Sequence, residues 1–146
     1  MSAQDLYKEK LLDHYRYPRN RCDGPIDGAD AIERGANPRC GDEIEIGIFL
    51  QGDRIQQTKF RGRGCAICIA SASILTEAVT ASSLTDTRAL CDEVRAGFGN
   101  GEAASAAPLP EALEALAAVQ HHPARKKCVL LSWEALAGAI DSVSSQ

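Results

Sequence analysis

Three of the six cysteines stand in settings that can present a thiolate to a shared point. The first lies in Asn37-Pro38-Arg39-Cys40-Gly41-Asp42. Pro38 pushes Asn37 into an extended conformation, and Gly41 frees the backbone between Cys40 and Asp42. A Cys-Gly-Asp turn just ahead of a strand can aim a thiolate and a carboxylate together. The second is Gly62-Arg63-Gly64-Cys65, a flexible loop that delivers a cysteine to a helix N-terminus, where the helix dipole favours the thiolate. The third, Cys128, falls near the start of the last predicted helix. Three thiolates and one carboxylate complete a tetrahedral shell for zinc, and thiolates equally suit iron–sulfur clusters. Cys65 follows Cys40 by 25 residues and Cys128 follows Cys65 by 63, too far for a zinc finger or ribbon. Such ligands would come from three separate elements of one folded domain. On spacing alone, a buried small hydrophobe fits each of the three cysteines equally well.

The remaining reactive side chains have plainer readings. Cys65-x-x-Cys68 has redox-pair spacing, but a Gly-rich loop after a hairpin is not the βαβ context that a redox motif requires. Cys68 therefore reads as a small helix residue one turn below the site, a spare thiol that can receive sulfur or form a disulfide with Cys65. Cys91 sits between Leu90 and Val94 as packing, and Cys22 reads as an incidental surface thiol. His121-His122 read as a solvated loop pair and His14 as an exposed helix residue. Arg125, Lys126 and Lys127 fall in the first turn of a helix, against its dipole, at a cost of about 0.3–1 kcal/mol each when exposed. They can offset the negative charge of a thiolate-rich metal site or steer an acidic partner, and they equally fit a solvated charge run.

The elements that must position these residues follow from periodicity. Residues 5–15 read as a helix ended by Tyr17-Pro18, followed by Gly/Pro/Asn/Asp-rich loop over 18–30 and a short strand at Ala31–Arg34. Ile44, Ile46, Ile48 and Leu50 alternate along a half-buried strand over 43–50. Gln51-Gly52-Asp53 turns the chain, and residues 54–60 return as the second arm of a hairpin. Arg61-Gly62-Arg63-Gly64-Cys65 reads as loop. The stretch 66–82 is a buried helix, apolar on nearly every side. Thr85 caps another helix that stops at Gly99-Asn100-Gly101. Residues 102–108 form a linker, and 110–119 a short amphipathic helix with Pro110 in its first turn. The last helix runs from about Pro123 to Val143, with Val129, Leu130, Trp133, Leu136, Ala137 and Ile140 on its apolar face. Helix, antiparallel strands, then helices make an α+β layer arrangement.

A chain of 146 residues is expected to form a single domain, 1–146, with a real core. Sixteen basic against twenty acidic residues give a net charge of −4, which argues against non-specific nucleic-acid binding. No stretch reaches the roughly 18 apolar residues of a membrane helix. The polar start MSAQDLYKEK carries no signal-peptide core, so the expected location is cytoplasmic. There, thiols stay reduced, and a disulfide framework is not expected.

Four blocks carry a resemblance: N-P-R-C-G-D at 37–42, G-R-G-C-A-I-C-I-A-S-A-S at 62–73, T-E at 76–77, and P-A-R-K-K-C with W-E-A-L within 123–136. In order and over essentially the whole chain, they resemble the IscU/SufU/NifU-N family of iron–sulfur cluster assembly proteins. That resemblance implies a three-stranded antiparallel sheet with helices packed on one side, and a metal or cluster site at one end. The family's ligand cysteines fall on Cys40, Cys65 and Cys128, and its aspartate on Asp42. Where IscU-type scaffolds have histidine before the third cysteine, this chain has Lys127. Its stretch between the second and third cysteines is also longer, across residues 84–118. Both features resemble the SufU branch. The family usually has serine at the position of Cys68.

The SufU resemblance implies a zinc-dependent sulfur acceptor, a sulfurtransferase served by a SufS-type cysteine desulfurase, with Cys40 taking the sulfur and zinc ordering it. Docking of the desulfurase would then supply a substitute ligand that frees Cys40. The alternatives are a scaffold holding a [2Fe–2S] cluster or iron, and a structural zinc adaptor. Expected partners are the desulfurase, the assembly machinery, apo-protein acceptors and, weakly, a second copy of the chain.

Overall fold

A computed structural model describes residues 3–37, 41–98, 111–119 and 123–144. The elements are α1 (Ala3–Arg16), β1 (Ala31–Asn37), β2 (Asp42–Gln51), β3 (Arg54–Arg63), α2 (Ala66–Ala78), α3 (Leu84–Phe98), a 3-10 helix (Glu111–Val119) and α4 (Pro123–Ser144).

Alternation builds the sheet. Ile44, Ile46 and Ile48 of β2 are fully buried on one face, while Glu43 and Glu45 point to the other, as the two-residue period of a strand requires. β2 is central in the order β1-β2-β3. It pairs antiparallel with β1 from Ala31↔Ile48 to Asn37↔Asp42, and with β3 from Glu43↔Arg63 to Gln51↔Arg54. The expected α+β architecture of three antiparallel strands with helices on one side is present. α4 packs on β1 and β2, α2 packs on β3 and α4, and α1, α3 and the 3-10 helix pack on those two helices. The opposite sheet face carries the ion pairs Arg61–Glu45 (3.2 Å) and Arg34–Glu43 (2.5 Å). Ile26, from the loop after α1, is buried there and packs on Gly47, where a Cβ would fall 2.6 Å from its Cγ2.

Helix α2 is buried from Cys68 through Thr76, including three hydroxyls, and buried hydroxyls need partners. Ser71 donates to the Val129 carbonyl (2.8 Å). Ser73 accepts the Arg19 N–H (2.8 Å), and Thr76 donates to the Ser73 carbonyl (2.8 Å). These bonds tie α2 to α4 and to the segment after α1.

Several boundaries differ from the sequence reading. β1 continues to Asn37, although Glu33-Arg34-Gly35 breaks any apolar alternation, because Gly35 lies under α4: a Cβ there would sit 2.8 Å from the Leu131 carbonyl oxygen. β3 continues through Arg61-Gly62-Arg63, which stay paired with Glu45, Ile44 and Glu43. α2 ends at Ala78 rather than near residue 82. Ser83, not Thr85, caps α3, its Oγ accepting the Asp86 N–H at 3.0 Å. Residues 111–119 form a 3-10 rather than an α-helix. His14 is not an exposed helix residue: its Nδ1 lies 2.8 Å from Ser73 Oγ and its Nε2 3.5 Å from Glu77 Oε1. The stop at 99–101, the linker at 102–108, Pro110 and His121-His122 lie outside the described residues.

Candidate metal centre

Three of the four expected ligands converge. One donor atom each from Asp42, Cys65 and Cys128 lies within 4.8 Å of the others. Tetrahedral zinc with bond lengths of 2.0–2.3 Å separates its donors by roughly 3.3–3.8 Å. The three side chains thus stand a small rearrangement from three of the four corners of such a shell, and their hard and soft donors fit zinc and iron alike.

Each donor is held by a different element. Asp42 opens β2 and is 5 % exposed. It shares the helix-facing side of the strand with Ile44, two residues on. Cys65 is the N-cap of α2, extended at φ −67° and ψ 169°, and its carbonyl accepts the Ile69 N–H at 3.1 Å. Cys128 lies in the second turn of α4 and is 8 % exposed. Gly64 lets the strand end and the helix start come together: a Cβ there would lie 2.9 Å from Cys68 Sγ and 3.2 Å from Asp42 Cγ. Ser71 fixes α2 against α4 next to Cys128, donating to the Val129 carbonyl and accepting the Trp133 indole N–H at 3.1 Å.

Cys40 lies outside the described residues, so its place rests on the chain to either side. Asn37 and Asp42 face each other across β1 and β2, and the Gly41 N–H donates to the Asn37 carbonyl at 2.9 Å. Gly41 has φ +75°, a left-handed conformation that glycine adopts without strain. In sequence Cys40 stands two residues before Asp42.

The other thiols have different surroundings. Cys91 is fully buried, and burial pushes its thiol up to about 11 against the counteracting pull of Arg95 and Arg88. It is packing, as its neighbours in sequence imply. Cys22 is half-buried in a groove of about 480 Å³ with Arg21, Arg34, Arg61 and Arg63, a groove on the solvent side of the sheet that contains none of the three donors. Cys68 is fully buried at the third position of α2, beneath Gly64. Beside the centre, a cleft of about 400 Å³ is lined by Cys65, Ala66, Ile67, Val119 and Arg125. A second, of about 250 Å³, runs past Asn37, Lys127 and Leu130. Arg125 and Lys127 are exposed and Lys126 half-buried.

Sequence reasoning missed Gly64 as a spacer and Ser71 as the clamp between α2 and α4. A serine inside an apolar helix was the available signal for Ser71, since a hydroxyl buried there must find a partner. Among the described residues, no helix is long and apolar enough to cross a membrane.

Three antiparallel strands, helices on one side and an Asp/Cys/Cys cluster at one end of the sheet define a small α+β domain with a candidate metal centre. The chain belongs to the NifU-like N terminal domain family, whose model matches residues 6–144. It is 35 % identical over 131 residues to the zinc-dependent sulfurtransferase SufU of Bacillus subtilis (strain 168), covering 90 % of this chain and 86 % of that protein. It is 37 % identical over 135 residues to the iron–sulfur cluster assembly scaffold protein IscU of Streptococcus pyogenes serotype M1, covering 92 % and 82 %. Among solved structures, FiSufU of the SUF system from Fervidobacterium islandicum AW-1 superimposes with a TM-score of 0.77 at 26 % identity, covering 95 % of this chain and 99 % of that one.

Proposed function

We propose that this chain is a zinc-dependent sulfur acceptor in iron–sulfur cluster assembly, acting in the cytoplasm as a single domain over 1–146. The observation that carries the reading is the convergence of Asp42, Cys65 and Cys128 within 4.8 Å, with Cys40 tethered two residues from Asp42. Those four residues are the proposed ligand set. Zinc, when bound, would hold its cysteine ligands as thiolates at neutral pH. A carboxylate among the ligands suits a working site better than a structural one, since structural zinc sites mostly use cysteine and histidine.

Cys40 is the proposed acceptor. Its sulfur attacks the outer sulfur of a persulfide on a SufS-type cysteine desulfurase. The S–S bond of the donor breaks, Cys40 becomes the persulfide, and the desulfurase cysteine returns as a thiol. No oxidant or reductant is consumed. Cys65 is held at the start of α2 and Cys128 in the second turn of α4. Arg125 and Lys127 give the rim a positive edge that suits an acidic docking surface. The sulfur then passes to the assembly machinery and its apo-protein acceptors. The likeness to SufU of Bacillus subtilis over 90 % of the chain supports this reading, as does the resemblance of the block around Lys127 to the SufU branch.

A second reading, a scaffold for a [2Fe–2S] cluster, draws on the likeness to IscU of Streptococcus pyogenes. The test is mass spectrometry after incubation with a SufS-type desulfurase and cysteine, with thiols trapped by alkylation. The sulfur-acceptor reading predicts one extra sulfur on Cys40 and none in Cys40→Ala. Sulfur confined to other cysteines, or a cluster assembled on zinc-free protein while zinc blocks it, overturns that reading in favour of the scaffold.

A further inference from the structure

Cys68 is the one thiol near the centre that the proposed ligand set does not use. Its position is not that of an ordinary core residue. Cys65 is the N-cap of α2, which makes Cys68 the third residue of the helix. N-cap and third-position side chains converge: in a capping box each reaches the backbone of the other. A C-x2-C pair is also a common spacing of two zinc ligands. Cys68 is fully buried, and its Sγ lies on the Asp42 side of Gly64, since one point 2.9 Å from that sulfur is 3.2 Å from the Asp42 carboxyl carbon. In its present rotamer Cys68 is not among the donors grouped within 4.8 Å.

We propose that Cys68 is a reserve metal ligand, and that Asp42, Cys65, Cys68 and Cys128 form a complete four-donor shell when Cys40 is off the metal. The inference rests on the metal-centre reading above. Those four residues all lie among the described residues, and Cys40 stands in sequence two residues before Asp42. In the exchange the Cys68 thiol gives up its proton and the released Cys40 thiolate gains one, so charge and electrons balance. The chain thereby supplies internally the substitute ligand that would otherwise have to come from a docked partner. Cys40 can carry sulfur while the metal stays bound.

Cobalt(II) substitution reads the number of thiolates directly, through sulfur-to-cobalt charge-transfer intensity, without any activity. The intact chain, Cys40→Ala, Cys68→Ser and the double variant would each be loaded with one equivalent of cobalt and then challenged with a chelator. The expected result is three thiolates in the intact chain, in Cys40→Ala and in Cys68→Ser, but two in the double variant, which also loses its metal most readily. Cys22 and Cys91 are present in all four proteins, so adventitious thiols cannot produce that pattern. Two thiolates in Cys40→Ala, with retention equal to that of the double variant, would overturn the inference and leave the metal centre standing. An intact, folded chain that binds no cobalt would overturn both.

Discussion

Ser71 Oγ accepts the indole N–H of Trp133 at 3.1 Å and donates its own O–H to the Val129 carbonyl at 2.8 Å. Through that one hydroxyl, the helix that begins at Cys65 is fastened to the helix that holds Cys128. Both Ser71 and Trp133 are fully buried. Ser71→Ala leaves the indole N–H without its acceptor, a loss of about 1–3 kcal/mol. Urea unfolding should show a lower midpoint at an unchanged slope, and zinc retention should fall with it. An unchanged midpoint would mean that the two helices are held by apolar packing alone.

Gly64→Ala tests the crowding at the centre. The added Cβ meets Cys68 Sγ at 2.9 Å and Asp42 Cγ at 3.2 Å, so one of the two side chains must give way. We expect weaker zinc binding, measured by competition with a chromophoric chelator, with little change in global unfolding. Zinc binding equal to that of the parent would show that the strand end moves freely away from α2.

His14 should make stability depend on pH. Burial, and after it the charge of Arg19, holds its imidazole below the usual histidine range, with Glu77 and Asp13 pulling the other way. Ser73 Oγ accepts the Arg19 N–H, so its own proton is available to His14 Nδ1, and the neutral ring is the form that fits. The folded state then binds fewer protons than the unfolded one near and below pH 6.5, the usual histidine value. Stability present above that pH is lost as the pH falls. Urea midpoints at pH 7.5 and 5.5 should differ less in His14→Gln than in the parent. Equal differences would remove His14 from the account.

Thiol reactivity should follow environment. Burial pushes Cys91 up to about 11, whereas Cys22 is only half-buried and lines an open groove on the solvent side of the sheet. Brief alkylation of the native, zinc-loaded chain at neutral pH should label Cys22 and spare Cys91. Stripping zinc should add label at Cys65 ahead of Cys91. Early labelling of Cys91 would mean that α3 opens locally.

The hairpin was legible because Ile44, Ile46 and Ile48 alternate without interruption, and α4 because its apolar stripe repeats through Val129, Trp133, Leu136 and Ile140. β1 was only half legible. Its inner face is Ala31, Glu33, Gly35 and Asn37, and what keeps it in the sheet is backbone pairing and the approach of Leu131 to Gly35. In the segment 111–119, Leu113, Leu116 and Val119 recur every three residues and all are buried. That period matches a 3-10 helix and was read as helical amphipathicity in general. The bond between His14 and Ser73 spans 59 residues and leaves no local trace. The convergence of Asp42, Cys65 and Cys128 was legible only through resemblance to a family, because donors on three elements impose no periodic pattern on the chain.

The most direct test is the turnover of cysteine by a SufS-type desulfurase, measured with this protein zinc-loaded and metal-stripped. The account predicts that the zinc-loaded form accelerates turnover, that the stripped form does not, and that zinc-loaded Cys40→Ala does not. Equal acceleration by loaded and stripped protein, or full acceleration by Cys40→Ala, would contradict it.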